Sequence, residues 1–291
     1  MRLHLVDGTY ELYRAHYSGR PEHRAQSGHD AKATVGIVES LLALLHDRDE
    51  AVTHLAVAFD NPIRSFRNDL FPHYKDDDGV PPELRSQFDD AEEAVRALGV
   101  TVWSMREYEA DDALASGARL FREKVEQVRI LTPDKDLGQC LRDDQVVQVD
   151  RRRRIEVNEA AFRARRGFAP ESMPDFLALV GDSADGIPGL RGFGEKSASL
   201  LLGAYPHLEN IPPDSSKWKV AVRGAPQLAA VLVEQHDDAT LYRRLATLVD
   251  TVSIDETLDQ LKFHGVPRAR FVRWCDELGV PRLKTYPRLW R

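Results

Sequence analysis

The chain has 291 residues, 42% of them hydrophobic and 30% charged, with a formal net charge of −7; this is the balance of a globular protein long enough for two domains or one domain with a large extension. No apolar run reaches the roughly 18 residues of a membrane span, and Met1-Arg2-Leu3-His4 leads straight into a strand with no charged-then-apolar leader. The two distant cysteines, Cys140 and Cys275, read as reduced core thiols of a cytoplasmic protein. The acidic balance argues only weakly against nucleic acid, because basic residues are locally dense at 151–154, 163–166, 191–196 and 268–291.

In chain order, apolar runs predict a strand at 2–6, a short helix near 10–15 and, after a Gly/His/Ser-rich stretch, a helix over 30–46. In that helix Val35, Val38, Leu41, Leu42 and Leu45 recur at helical spacing. A strand at 53–59 precedes a polar insertion at 61–82 ending in Pro81-Pro82, then a helix over 83–98 closed by Gly99. A strand at 100–104, a helix over 109–125 and strands at 128–132 and 145–150 complete an alternation that points to a mostly parallel sheet covered by helices. Beyond about Asn158 strand signals vanish. Helices are expected at 170–180, 195–204, 225–235, 237–248 and 267–278, with 205–224, rich in Pro and Gly, as a loosely ordered connector.

Acidic residues stand just past the strand runs. Leu3-His4-Leu5-Val6 runs into Asp7, Leu55-Ala56-Val57-Ala58-Phe59 into Asp60, and Val128-Arg129-Ile130-Leu131 into Thr132-Pro133-Asp134-Lys135-Asp136. Glu109-Ala110-Asp111-Asp112 opens a helix, and Asp182-Ser183-Ala184-Asp185 follows one. Carboxyl ends of parallel strands open onto the ligand crevice. Nine carboxylates converging there would repel one another unless cations lay between them, and hard oxygen donors suit Mg²⁺ or Mn²⁺. The plainer reading of Glu109–Asp112 and of Asp134 is helix capping, which the helix dipole favours unaided.

Gly181–Lys196 is the densest signal. Its glycines allow backbone N–H groups to approach a phosphate, the following helix adds its positive end, and the same turn can offer carbonyls to a monovalent cation. Arg64–Asp78 interleaves aromatic and basic residues, as single-stranded nucleic acid requires, although an ordinary amphipathic surface helix is the simpler alternative. Arg151–Arg154 reads as a solvated turn. The ten histidines lack zinc spacing, and no GxxxxGK[ST] signature of a nucleotide-hydrolysing P-loop is present.

The order Val6-Asp7-Gly8, Phe59-Asp60, Tyr108-Glu109-Ala110-Asp111-Asp112, Pro133-Asp134-Lys135-Asp136-Leu137 and Gly181-Asp182-Ser183-Ala184-Asp185-Gly186-Ile187-Pro188-Gly189 resembles the 5′-nuclease (flap endonuclease) superfamily. The likeness is greatest to bacterial 5′–3′ exonucleases and the N-terminal domain of family-A DNA polymerases, over nearly the whole chain. The resemblance implies an α/β PIN-like catalytic domain at 1–160, with a mostly parallel sheet flanked by helices and a helical-arch insertion at about 61–98. An all-helical DNA-binding domain at 161–291 would then contain a helix-three-turn-helix motif at about 176–204. The resemblance assigns one metal site to Asp7, Asp60, Glu109 and Asp111, helped by Asp112, and a second to Asp134, Asp136, Asp182 and Asp185. Lys75 matches the lysine that reaches the scissile phosphate and Tyr74 a base-stacking aromatic, with Arg67 beside them as a further DNA-binding candidate. Gly189, Arg191, Gly192, Gly194 and Lys196 fall in the duplex-binding turn, where K⁺ can bridge backbone and phosphate. The implied activity is that of a two-metal 5′–3′ exonuclease or flap endonuclease of replication or repair. The chain is expected to be a monomer acting on DNA 5′ ends and flaps, with no nucleotide cofactor and no membrane, beside a separate polymerase.

One position departs from the pattern: Asp78, within Asp76-Asp77-Asp78, stands where a second basic residue is usual. It raises the alternatives of weakened capture of a 5′ end, or of a DNA-binding protein with weakened cleavage. An RNA-directed PIN-type nuclease is disfavoured by the glycine-rich turn.

Overall fold

The computed structural model describes all of residues 1–291. In chain order its helices and strands are β1 (Arg2–Asp7), α1 (Gly8–His16), α2 (Lys32–His46), β2 (His54–Asp60), α3 (Arg67–Leu70), α4 (Pro82–Arg85), α5 (Phe88–Ala97), β3 (Thr101–Met105), α6 (Ala110–Phe121) and β4 (Gln127–Leu131). There follow β5 (Val146–Asp150), β6 (Ile155–Val157), α7 (Glu159–Arg166), α8 (Met173–Val180), α9 (Glu195–Ala204), α10 (Ala225–Glu234), α11 (His236–Ala246) and α12 (Arg268–Glu277). These elements form two compact units that interleave along the chain. The first comprises residues 1–64, 77–132 and 250–291, and the second residues 65–76 and 133–249.

In the first unit β3, β2, β1 and β4 lie side by side in that order, all parallel. Every residue of β2 is buried, as an unbroken apolar run requires of a central strand covered on both faces. Helices α1, α2, α5 and α6 supply the cover. Gly117 of α6 sits where a Cβ would come within 2.6 Å of the Trp103 ring, so the helix approaches β3 closely because it has no side chain there. α2 has no side-chain cap of its own. Instead the buried Gln87 accepts from the Ala33 and Thr34 N–H groups at 2.9 and 3.1 Å, which satisfies donors at a helix start. That demand on Gln87 coincides with the break between α4 and α5, where sequence pattern alone predicts one helix over 83–98. At the amino end of the strands His4 and Arg129 are register partners, and both engage Glu50. The His4 hydrogen bond and the Arg129 guanidinium hold Glu50 down to about 2.

The second unit is largely helical. β5 and β6 form an antiparallel hairpin whose turn is Arg151–Arg154; β6, three residues long with Ile155 and Glu156 exposed, is too short to register as a strand in the sequence. α8 is buried nearly throughout, packing on α9 and α11, with the Phe176 ring stacked on Phe168 at 5.0 Å. Asp175 of α8 is 1% exposed and fully engaged: His207 at 3.0 Å, the Leu208 N–H at 3.2 Å and Arg243 at 3.2 Å. The stretch 205–224 is packed rather than loose. Trp218 donates to Pro212 O at 2.8 Å, the Tyr205 hydroxyl accepts from the Lys219 N–H at 2.7 Å, and Ile211 joins Leu201 and Tyr205 in a small core. Its prolines and glycine mask that aromatic anchoring.

Candidate metal centre

In the first unit the acidic residues stand at the carboxyl end of the sheet. Asp7 ends β1 opposite Ala58 of β2, and Asp60 ends β2. Both are buried, at 6% and 8% exposure. Asp7 caps α1 by accepting from the Tyr10 N–H at 2.8 Å, while its other oxygen accepts from the Thr132 hydroxyl at 2.9 Å. Asp60 accepts from the Ala110 N–H at 2.7 Å, placing its carboxylate against the first turn of α6. Its own N–H donates to the Thr9 hydroxyl at 2.8 Å. Glu109 is the N-cap of α6. Asp112, fully buried, closes a capping box by accepting from the Glu109 N–H at 3.0 Å, while Asp111 is only half-buried. Capping consumes individual oxygens of these carboxylates and fixes the groups together at one end of the sheet.

In the second unit Asp136, Asp182 and Asp185 are all buried, and one carboxylate oxygen from each lies within 4.8 Å of the others. Asp136 Oδ1 is buried without a hydrogen-bond partner. Burial, then the neighbouring Asp134, Asp185 and Asp182 charges, push the Asp136 carboxyl well above the usual carboxylate range, against the opposing pull of Lys135. Lys135 Nζ lies 2.5 Å from Asp182 and 3.5 Å from Asp136. Its pKa is raised: burial works against the ammonium, but the surrounding carboxylates outweigh it. A tight group of buried carboxylates with an unmet acceptor fits a hard divalent cation, which would supply the missing positive charge and an oxygen-ligand shell.

Lys75 belongs to this cluster. Its Nζ lies 3.0 Å from Asp185 and its N–H donates to Asp185 O at 3.0 Å. Gly186 makes that approach possible: its φ is +76°, and an added Cβ would fall 2.2 Å from His73 O. In the glycine-rich turn between α8 and α9, Gly189 packs on the backbone of Gly181, whereas Arg191, Gly192, Gly194 and Lys196 face solvent.

Three expected site residues are placed otherwise. Asp134 is exposed and outside the trio; its side chain accepts from the Asp136 N–H at 3.0 Å, the turn-capping role open to any Asp before a helical turn. Tyr74 is 4% exposed in the core of the second unit, so its ring is not available to a base; the aromatic serves packing because α8 and its neighbours bury it. Arg67 is 1% exposed, donating to Leu245 O at 2.8 Å and Thr247 O at 3.0 Å, with its guanidinium over Phe66. It is a strut between residues 65–76 and the end of α11, not a surface contact for DNA. Arg67→Ala should accordingly cost about 2–4 kcal/mol by stranding buried carbonyls, read as a lower urea midpoint, with Arg67→Lys recovering part of the loss. A main effect on the salt dependence of DNA binding instead would contradict the strut. Two residues of the site escape sequence reasoning: Thr132, which fixes Asp7, and Lys135, which pairs with Asp182 and lies beside Asp136. The second was legible as the cation between two aspartates in Pro133-Asp134-Lys135-Asp136.

Known proteins match this arrangement along most of the chain. The family model described as 5′-3′ exonuclease, N-terminal resolvase-like domain, matches residues 2–167, and that described as 5′-3′ exonuclease, C-terminal SAM fold, matches residues 168–269. The chain belongs to the 5′-3′ exonuclease family. Membership makes it a 5′ nuclease, a hydrolase. It is similar to DNA polymerase I of Mycobacterium tuberculosis, 33% identical over 283 residues, 95% of this chain and 30% of that protein. DNA polymerase I of Pseudomonas aeruginosa is 33% identical over 293 residues, 94% of this chain and 31% of that protein. The chain thus spans about a third of the length of these curated relatives. In fold it resembles the bacteriophage T5 D15 protein co-crystallised with metal ions, with a TM-score of 0.66 at 18% identity over 86% of this chain and 90% of that one. The catalytic core of Rad2 in complex with DNA substrate has a TM-score of 0.61 at 14% identity, over 97% of this chain and 89% of that one. No helix of this exonuclease-family chain is long and apolar enough to cross a membrane.

Proposed function

We propose that this 5′ nuclease is structure-specific, cutting DNA at 5′ ends and 5′ flaps during replication or repair, with Mg²⁺ or Mn²⁺ held by the carboxylates of each unit. The observation that carries the reading is the buried trio Asp136, Asp182 and Asp185 with the unmet oxygen of Asp136, flanked by Lys75 and Lys135. Asp7, Asp60, Glu109 and Asp111 would hold one ion and the trio another. A divalent ion held by either set would supply a water of lowered pKa and positive charge for a phosphate oxygen.

The remaining work falls to the chain's own groups. Thr132 and the Tyr10 N–H hold Asp7 in one orientation, and the Ala110 N–H does the same for Asp60, so the ligand oxygens are preorganised. Lys75, tethered at Asp185, would exchange that carboxylate for a phosphate oxygen and hold the scissile group. The solvent-facing turn at Gly192, Gly194 and Lys196 opens α9; the Gly194 N–H is taken by the Ser197 hydroxyl at 3.1 Å, so the first-turn N–H groups that follow and the Lys196 cation would meet a duplex phosphate without regard to sequence, with K⁺ as a bridging ion. A monomer working beside a separate polymerase, in the cytoplasm, completes the proposal.

The test is cleavage of 5′-flap DNA, blunt duplex and single-stranded RNA, each with Mg²⁺, Mn²⁺ or EDTA. Flap cleavage abolished by EDTA is expected; DNA bound but uncut with every metal would favour a binding protein. Within the acidic run Asp77 accepts from the Ile63 N–H at 3.0 Å and pairs with Arg85 at 2.8 Å, and Asp78 carries its charge at the surface. Asp78→Arg should therefore tighten flap binding at low salt, with the gain fading as salt rises. Unchanged affinity at every salt concentration would remove Asp78 from the substrate path.

A further inference from the structure

At the amino end of the strands, the first unit carries a cavity of about 400 Å³ that the nuclease chemistry does not use. Its floor is apolar, with Leu45 from the end of α2, Val52, Phe263 and Leu289 among its lining residues. One wall is fixed by backbone bonds: the Val266 N–H donates to Leu289 O at 2.9 Å and the Arg291 N–H to Val266 O at 3.0 Å. Leu289 nevertheless leaves 54% of its surface exposed. Arg48, Lys262 and Arg288 stand around the rim, exposed, and none of them makes an ion pair. The one acidic lining residue, Asp47, offsets one of these charges and pairs with none of them; its Oδ1 accepts from the Asp49 and Glu50 N–H groups at 2.9 and 3.3 Å. His46 adds no compensating charge; burial and then the nearby Arg288 push it down.

A chain with a net charge of −7 thus concentrates three unpaired cations around an apolar hollow. We propose that this cavity is a docking site for an acidic segment of a partner protein that inserts large apolar side chains between its carboxylates. The volume falls within the range of ligand pockets, about 300–1,000 Å³. Charge complementarity selects the class: the apolar side chains would cover Leu289 and Phe263, while Asp or Glu residues would meet Arg48, Lys262 and Arg288. Single-stranded nucleic acid fits less well, because stacking needs a series of aromatic faces and the lining holds only the Phe263 ring and the His46 imidazole.

The experiment selects a display library of random short peptides on the full chain, then measures binding of the enriched peptide, fluorescently labelled, by anisotropy. Enrichment of peptides combining Asp or Glu with Leu, Phe or Trp is expected. Binding of the labelled peptide should weaken about tenfold or more in the triple variant Arg48→Glu, Lys262→Glu, Arg288→Glu and again in Leu289→Glu. All these positions are exposed, and an unchanged melting temperature shows that the variants fold. Flap cleavage should be unchanged in them, which separates failure here from failure of the nuclease reading. No acidic-apolar enrichment, peptides indifferent to the four substitutions, or a labelled single strand of DNA displacing the peptide through the same residues would each overturn the proposal.

Discussion

Asp136→Asn is expected to raise the melting temperature of the metal-free protein while removing most of its cleavage. The two effects have one cause. Asp136 is buried with an unbonded oxygen among Asp134, Asp182 and Asp185, so its carboxyl is pushed upward and its charged form is unfavourable in the folded state. A group whose folded pKa lies above its unfolded value binds its proton more tightly when folded. Its charge therefore costs stability as pH rises above the unfolded value, and that cost is present at neutral pH. The neutral amide removes the repulsion, worth about 1–3 kcal/mol, which in a chain of this size is a rise of about 2–4 °C per kcal/mol. Added Mg²⁺ should then raise the melting temperature of the wild type more than that of the variant, because a ligand that binds the folded state stabilises it by an amount that grows logarithmically as Kd falls. Cleavage should fall about a hundredfold or more. A variant that melts lower without metal, or gains as much from Mg²⁺ as the wild type, would show that Asp136 is held by protein contacts and not arranged for an ion.

The fold is legible in the sequence where periodicity is strong. The strands of the first unit can be read because burial on both faces forces continuous apolar runs, as in Leu55–Phe59, and α9 and α11 because their faces repeat at helical spacing. β6 cannot, since three residues with two exposed carry no pattern, and neither can the break at Gln87, which depends on the distant start of α2. The same division holds in the site. Carboxylates at strand ends announce themselves by position, but whether a side chain turns inward is a tertiary fact. Tyr74 and Arg67 look in sequence like a surface pair for nucleic acid, and their burial against α8 and α11 is decided by residues far along the chain, Leu245 and Thr247 among them. Asp134 and Asp136, two residues apart in one motif, take different roles because only the second faces the bend at Asp182–Asp185.

Asp7 allows capping and ligation to be separated, since one carboxylate does both. Its Oδ1 accepts from the Tyr10 N–H and its Oδ2 from the Thr132 hydroxyl. Asp7→Asn keeps an oxygen for the α1 cap, and the Thr132 hydroxyl can rotate to accept from the amide; what disappears is the negative charge. Stability should therefore change by less than about 1 kcal/mol, while kcat falls about 10³-fold, the equivalent of about 4 kcal/mol of lost transition-state stabilisation. Asp7→Ala removes charge and cap together, so it should match the catalytic loss and add about 1 kcal/mol of destabilisation. Thr132→Val supplies the converse: the charge stays, the orienting hydroxyl goes, and a smaller loss of about 10-fold or more is expected, with a raised Mg²⁺ requirement. Urea unfolding and single-turnover cleavage on the three variants distinguish the roles. Should Asp7→Asn cleave flap DNA like the wild type, the carboxylate would be a cap alone, and the ion of the first unit would have to rest on Asp60, Glu109 and Asp111.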